Sequence, residues 1–371
     1  MTYESRVDLY NKIEEIRGRP LITYITSSRM NASGLMAADV IPELCKQINT
    51  IPKERTDVDL LLVSNGGDPV VSWRIISLLR ERFKKVGVLL PYQAYSAATL
   101  VALGADDIVM HPFSNLGPVD PQLSIQRNVP GTPGTPDTIT FGAEDLSHFI
   151  DFVCKDVGIS DQEQKERAFE LVCKEVGAIP IGIAKRSSNL ASSLGQKLLS
   201  LHMEDQNKVK AISDSLNKSF YHHGYPVGRS EAKKIGLPIT EAQDDLENVI
   251  WQVWEDMQGE MKCDIPFNPL EVVMTDPVLG SQIRQMPYIE NIPANLPPDV
   301  ANQIFQQITQ QIKITMITPV EHELYQAALE SIQMRSEFKS KLLILATRMP
   351  DMNVNINVTH TSSSWKTINT I

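Results

Sequence analysis

One segment constrains the fold more than any other. From Val58 to Ser64 the chain reads VDLLLVS, nearly all apolar and β-prone, and the turn NGGDP follows at once. A short apolar run closed by such a turn reads as a buried strand ending in a loop. Pro69 then suits the first turn of a helix, VVSWRIISLLRERF, in which Val70, Trp73, Ile75, Ile76, Leu79 and Phe83 form a broad apolar face. The pattern repeats. Val86 to Leu90 reads as a second buried strand, Ser96 to Gly104 as a helix of small residues and Asp107 to Met110 as a third strand. Upstream, Pro20 to Thr26 reads as another strand and Met36 to Ile48 as another helix. Strands alternating with helices at this spacing predict an α/β fold.

Farther along, Asn128 to Thr138, NVPGTPGTPDT, is rich in Pro and Gly and predicts a loop or flap. Helical periods follow over Asp145–Val157, Ser160–Val176 and Ser187–His202, the second with an N-cap signal in Ser160 and Glu163. A further helix begins near Ser230 and stops at Gly236-Leu237-Pro238. Beyond about Asp245 the texture changes: nine of the 23 Pro lie there, and acids outnumber bases by 14 to 8 from Leu246 onward. This places a boundary between residues 1–245 and an extension, 246–371. Within the extension, Asp299 to Ile312 puts Ile304, Phe305, Ile308 and Ile312 on one stripe, and Val320 to Met349 reads as a second long helical segment. Asn353 to Val358 alternates polar with apolar and predicts a terminal strand. The extension is therefore expected to be mainly helical, packed on the core or serving oligomerisation or partner binding.

Composition removes several functions. With 35 Lys and Arg against 45 Asp and Glu the net charge is −10, and the bases are scattered, so nucleic acid is not an expected partner. Cys45, Cys154, Cys173 and Cys263 are far apart with no CxxC pair, which predicts reduced thiols and no metal site. The most apolar stretch, Val86 to Ala105, contains Pro91, Gln93, Ser96 and Thr99, so no membrane span is expected. The N-terminus lacks the pattern of a signal peptide, and a cytoplasmic location is the expectation.

Two strand-to-helix junctions could carry chemistry. At Ser64-Asn65-Gly66-Gly67-Asp68, two adjacent glycines would let backbone N–H groups approach a ligand closely, as an oxyanion requires; the plainer reading is a Gly-rich turn. At Ala94-Tyr95-Ser96-Ala97-Ala98-Thr99 the serine opens a helix. It could be a plain N-cap, or a nucleophile that small neighbours leave open to a carbonyl. Successive strand–helix units should bring both junctions to one sheet edge.

In this order, and with ALGADDIVMHPFSNLGPVDPQ (Ala102 to Gln122) following, the chain resembles the ClpP/crotonase superfamily over roughly Val7 to Leu237. The similarity is closest to its serine dehydrogenase proteinase branch, related to signal-peptide peptidases. The resemblance implies a core of repeated ββα units in a spiral and a serine peptidase acting on peptide or protein substrates. It implies an oxyanion hole at Gly66, Gly67 and Ala97, with Asn65 beside the substrate, and Ser96 as nucleophile. That branch uses the order Ser, Asp, His, which implies Asp120, in GPVDPQ, as the carboxylate orienting His223, in HHGYPVGRSEAKKIGL, as general base. It also implies a homo-oligomer and neither metal nor organic cofactor. Asp120 could instead merely open a turn, and His111 and a Ser–Lys pair with Lys155 or Lys185 are competitors for the base. Two other readings stay open: a catalytically silent scaffold or partner-binding protein, and a crotonase-type acyl-thioester enzyme.

Overall fold

The structure is a computed structural model and describes residues 3–128, 136–218, 222, 224–284, 295–311, 314–349 and 353–369. The first part of the chain runs α1 (Tyr3–Arg17), β1 (Leu21–Thr26), α2 (Val40–Thr50), β2 (Asp57–Val63), α3 (Pro69–Arg82), β3 (Lys85–Leu90), β4 (Gln93–Ala94), α4 (Ala97–Leu103), β5 (Asp107–Met110) and β6 (Asn115–Leu116). A hairpin of β7 (Gln122–Asn128) and β8 (Pro136–Gly142) leads into α5 (Ala143–Asp151), a π-helical turn (Phe152–Asp156), α6 (Gln162–Val176), α7 (Ala178–Leu199) and α8 (Gln206–Lys218). Then come β9 (Val227–Gly228), α9 (Arg229–Ile235), β10 (Ile239–Thr240), α10 (Asp244–Glu260), α11 (Pro269–Thr275), α12 (Pro277–Arg284) and α13 (Pro298–Gln311). The chain closes with β11 (Thr315–Met316), β12 (Val320–Glu330), β13 (Met334–Arg348) and β14 (Val354–Asn369).

A nine-stranded sheet organises the molecule, in the order β10-β5-β3-β2-β1-β12-β13-β11 with β14 on the outer side of β13. Strands β1, β2, β3, β5 and β10 are mutually parallel. β2 shows why its sequence is apolar without a break from Leu60 to Val63. Leu60 and Leu62 enter the core beneath α2, α3 and α4, whereas Leu61 and Val63 enter a second core with Ile13 of α1 and Ile250 and Trp254 of α10. A parallel strand covered on both faces favours apolar residues at successive positions, and the one buried polar residue of β2, Asp59, is paired with Arg17 and Arg19. The α/β architecture expected from the sequence is thus present.

Helix starts follow local chemistry. Asp68 caps α3, its Oδ1 accepting from the Val70 N–H at 2.8 Å, with Pro69 at the first helical position. α6 is capped by Asp161, whose side chain accepts from the Gln164 N–H, rather than by the expected Ser160. α9 ends at Gly236 in the left-handed region, φ 104°. The segment expected to be a loop or flap falls partly outside the described residues, 129–135; on either side Asn128 ends β7 and Pro136 begins β8. The stripe expected over Asp299–Ile312 is α13, with Ile312 itself outside the described residues.

The extension departs from expectation. The long helix read over Val320–Met349 is instead the antiparallel pair β12 and β13, and the terminal strand is longer than expected, so the extension is not mainly helical. The cause is tertiary. β1 would otherwise expose one edge, and β12 pairs with it antiparallel from Thr23↔Glu330 to Thr26↔Ala327. An exposed edge of a central strand outweighs the helix propensity of residues such as Glu, Leu, Ala and Lys. Gln47 of α2, fully buried, closes the β12–β13 turn by donating to the Leu329 and Met334 carbonyls. The sheet thereby continues across the boundary read near Asp245. A buried ion cluster does the same: Arg6 of α1 binds Asp256 and Glu260 of α10 and Glu330 of β12, and Glu330 also accepts from the Tyr10 hydroxyl at 2.6 Å.

Candidate active site

A second, smaller sheet sits at the carboxyl ends of the parallel strands. β4 pairs parallel with β6, β6 pairs antiparallel with β9, and the row is extended by single bridges from Ala94 to Ser64 and from Gly67 to Met36. Apart from β9, which comes after α8, these short segments each follow a strand of the main sheet, and they carry the junctions singled out in the sequence.

The glycine turn is held on one side by the segment before α2. The Met36 N–H donates to the Gly66 carbonyl at 2.8 Å, and the Met36 carbonyl accepts from the Asp68 N–H at 2.9 Å. This is why the helix expected from Met36 starts only at Val40: Met36 is spent on extended pairing. Gly67, at φ 151°, lies so close to the Met36 backbone that a Cβ there would overlap it. Gly66, at φ 97°, has its α-carbon against the Ser96 side: a Cβ at Gly66 would stand 2.9 Å from the Ser96 Cβ and 3.0 Å from the Ala97 nitrogen. Both glycines are therefore required by close approach as well as by conformation.

Ser96 is half-buried and directly precedes α4 with φ 51° and ψ −115°. A plain N-cap serine takes extended angles and turns its hydroxyl back onto the helix N–H groups. Ser96 does neither, because its side chain makes no capping hydrogen bond. A non-glycine residue held in this region stores on the order of 1–3 kcal/mol of strain. The surrounding bonds hold the turn there: Ser64 N–H to the Gln93 carbonyl at 3.0 Å, Tyr95 N–H to the Ser64 carbonyl at 2.9 Å and Ala98 N–H to the Tyr95 carbonyl at 2.9 Å. Thr99 adds a clamp, donating to the carbonyls of Ala94 and Gly117.

The N–H groups around this turn are not equivalent. That of Gly66 donates to the Ser64 hydroxyl at 3.1 Å. Those of Gly67 and Ala97 have no hydrogen-bond partner among the described residues. Asn65 accepts from the Gln93 side chain at 2.6 Å, which ties it to β4. Ser64 and Met36 were not singled out in the sequence, although a serine directly before NGG at a strand end was a signal for the first.

Asp120 is half-buried and accepts from the Gln122 side chain at 3.0 Å. It follows Gly117, which packs on the Tyr95 ring, and Val119, whose N–H donates to the Leu216 carbonyl of α8. His223 lies outside the described residues. The chain on either side of it is anchored beside the serine turn, at Leu216 against Val119 and at Val227 against Leu116. His222 is exposed, and its Nδ1 accepts from the Gly224 N–H at 3.0 Å. Two of the competing bases, His111 and Lys155, are engaged elsewhere, and Lys185 is exposed on α7. His111 is buried, stacked on Trp251 at 4.8 Å, and burial pushes its imidazole below the usual range. Lys155 is exposed and paired with Asp151 at 2.8 Å, which raises its ammonium pKa, opposite to what a neutral lysine base needs. Among the described residues no group of side chains could hold a metal, and no helix is long and apolar enough to cross a membrane.

Comparison with known proteins agrees with the resemblance read from the sequence. Two uncharacterised proteins of Methanocaldococcus jannaschii are similar to the chain. One is 26% identical over 243 residues, covering 63% of this chain and 73% of the relative; the other is 26% identical over 197 residues, covering 53% and 56%. Among solved structures, a serine-to-alanine mutant of the membrane-bound stomatin-specific protease 1510-N aligns over 57% of this chain and 77% of its own, at 14% identity and a TM-score of 0.35. Residues 3–132, the stretch that carries Gly66, Gly67, Ser96 and Asp120, match the family of ClpP-like SDH-type serine proteinases.

Proposed function

We propose that the protein is a serine peptidase working through an acyl-enzyme. The observation that carries this reading is the Ser96 backbone: a helix-opening serine held in a strained conformation, its hydroxyl unused as a cap, against two glycines that no larger residue could replace. In this mechanism the Ser96 Oγ bonds to the carbonyl carbon of a peptide, and the proton it loses passes to His223, oriented by Asp120. The carbonyl electron pair moves onto oxygen, where the N–H groups of Gly67 and Ala97 receive it. Gly66, its N–H engaged by Ser64, then serves by leaving room beside Ser96. Collapse expels the amine with the proton from His223, and water releases the acyl group by the same steps. Asn65, fixed by Gln93, stands beside the path of the substrate main chain. The short segments after β2, β3 and β5 support reading the core as repeated ββα units.

Labelling by a fluorophosphonate, followed by intact mass, tests the assignment. Wild type should take up one adduct, Ser96→Ala none and His223→Ala far less. Equal labelling of all three would end the proposal. Gly67→Ala should slow labelling by about 10²–10³-fold, the loss expected when one oxyanion donor is displaced.

A further inference from the structure

Behind the glycine turn lies a cavity of about 310 Å³ walled by the extension. One wall is the segment 33–39, with Leu35 and Ala37 on either side of Met36; the other is the antiparallel strands, with Leu324 on β12, Phe338 on β13 and Trp365 on β14. Small-ligand sites have this size and this largely apolar lining. Two irregularities of the sheet shape the second wall. Side chains alternate along a strand, so Leu324 and Ala327, three residues apart, share the cavity only because β12 carries an extra residue between them. That residue is Gln326, which the β12–β13 register skips, from Tyr325↔Lys339 to Ala327↔Phe338. On β14, His360 and Ser363 are also three apart, and there the register skips Thr361, from Lys341↔Ser362 to Leu342↔His360. Both bulges flank the same short stretch of β13, Phe338 to Leu342, and bulges that re-aim side chains in this way gather beside binding sites. Gln326 also ties the walls together, donating to the Ser33 carbonyl at 3.1 Å and accepting from the Ser340 hydroxyl.

Charge selects the occupant. Among the described residues Asp39 is the one acid that lines the cavity, and no Lys or Arg lines it. Asp39 precedes α2 without capping it. Its Oδ2 accepts from the Trp365 Nε1–H at 3.0 Å, and its Oδ1 has no hydrogen-bond partner among the described residues. The Trp365 ring lies 5.4 Å from that of Phe338. A carboxylate with an open oxygen beside two aromatic rings suits a cation that carries N–H donors on an apolar stem. We propose that the cavity binds a small organic cation, an alkylammonium or guanidinium group paired with Asp39, its stem against Phe338 and Trp365. Bound there, the cation holds the segment 33–39 to the sheet, and with it Met36, whose backbone bonds to Gly66 and Asp68. The cavity contains no residue of the Ser96 turn, so this inference stands or falls apart from the peptidase reading.

Calorimetric titration of the full chain with the chlorides of butylammonium, phenethylammonium and butylguanidinium tests it, with 2-phenylethanol as the neutral counterpart of phenethylammonium. Wild type should bind these cations one to one, and phenethylammonium about tenfold or more tighter than the alcohol. Asp39→Asn keeps an oxygen to accept from Trp365, so it should keep the unfolding midpoint and its weak hold on the alcohol while losing about tenfold or more in affinity for the cations. Amide exchange should slow with bound cation over residues 33–39 and at Asp68, whose N–H donates to the Met36 carbonyl. The N-methylamides of N-acetyl-lysine and N-acetyl-arginine separate the two sources of such a cation: tighter binding than the free amines marks a peptide side chain, weaker binding a free amine. Failure of every cation to saturate, equal binding of phenethylammonium and the alcohol, undiminished binding by Asp39→Asn, or slowed exchange confined to other segments would each overturn the proposal.

Discussion

The two halves of the main sheet obey different rules. On the β10-to-β1 side the strands are parallel, helices cover both faces, and the strands are runs of apolar residues. On the β12-to-β14 side they are antiparallel, long and unevenly covered, and β13 alternates: Leu342, Ile344 and Ala346 are buried while Leu343 and Leu345 are half-buried. A doubly covered strand states its burial in every residue, whereas a strand covered on one face states it in every second one. The first half also carries the serine turn, because successive parallel strands bring their carboxyl ends to one edge. The second half supplies the edge partner of β1 and ends in β14, which has no strand on its outer side among the described residues.

The largest predicted effect tests whether the halves are one folding unit. Glu330 is fully buried and binds Arg6, Arg335 and Tyr10. Glu330→Ala should therefore destabilise by about 3–5 kcal/mol, the usual result of leaving buried charge uncompensated. Urea unfolding followed by two probes should still show a single transition; an early separate loss of the β12–β14 strands would mean that the halves fold independently. Next, Leu61→Ala, at a site buried between β2 and α10, should cost about 2–5 kcal/mol in the same measurement.

Acid should affect both halves. Burial holds the imidazoles of His111 on the parallel side and His322 on the antiparallel side below their ordinary value of 6.5, with Arg29 and Lys262 adding repulsion at His322. Above that value both rings are neutral in the folded and unfolded states and add no slope. As pH falls through it, the unfolded chain binds protons that the folded rings refuse, so stability drops. His111→Phe or His322→Phe should flatten part of the acid limb of stability against pH, by about 1.4 kcal/mol for each unit of depression. The smallest effect belongs to β14: Val358→Ala, at an exposed position, should change stability by less than about 0.5 kcal/mol in urea unfolding.

How much was legible follows from the same contrast. β1, β2, β3 and β5 were readable to within a residue at each end, since their burial does not depend on which neighbour covers them. The segment Val320–Met349 was misread because its residues favour helix and its alternation is diluted by Leu343 and Leu345, which are apolar on the less covered face. No NG or DG turn marks the hairpin; its turn, Ser331 to Met334, is closed by a backbone bond and by Gln47 from a helix almost 300 residues earlier. At the site, the glycines and Ser96 were visible as residue types at strand-to-helix junctions. The contribution of Met36 was hidden, because it acts only through its backbone.

By itself the sequence determined the parallel α/β core and the two junctions that face each other in it, since apolar runs, paired glycines and a helix-opening serine are local properties. Only the tertiary structure decided that β12 completes the sheet beside β1, that Ser96 is a strained turn residue rather than a cap, and which N–H groups beside it are left without partners among the described residues. Those outcomes depend on distant segments competing for the same edge, the same space and the same hydrogen bonds, and no stretch of sequence read alone contains its competitors.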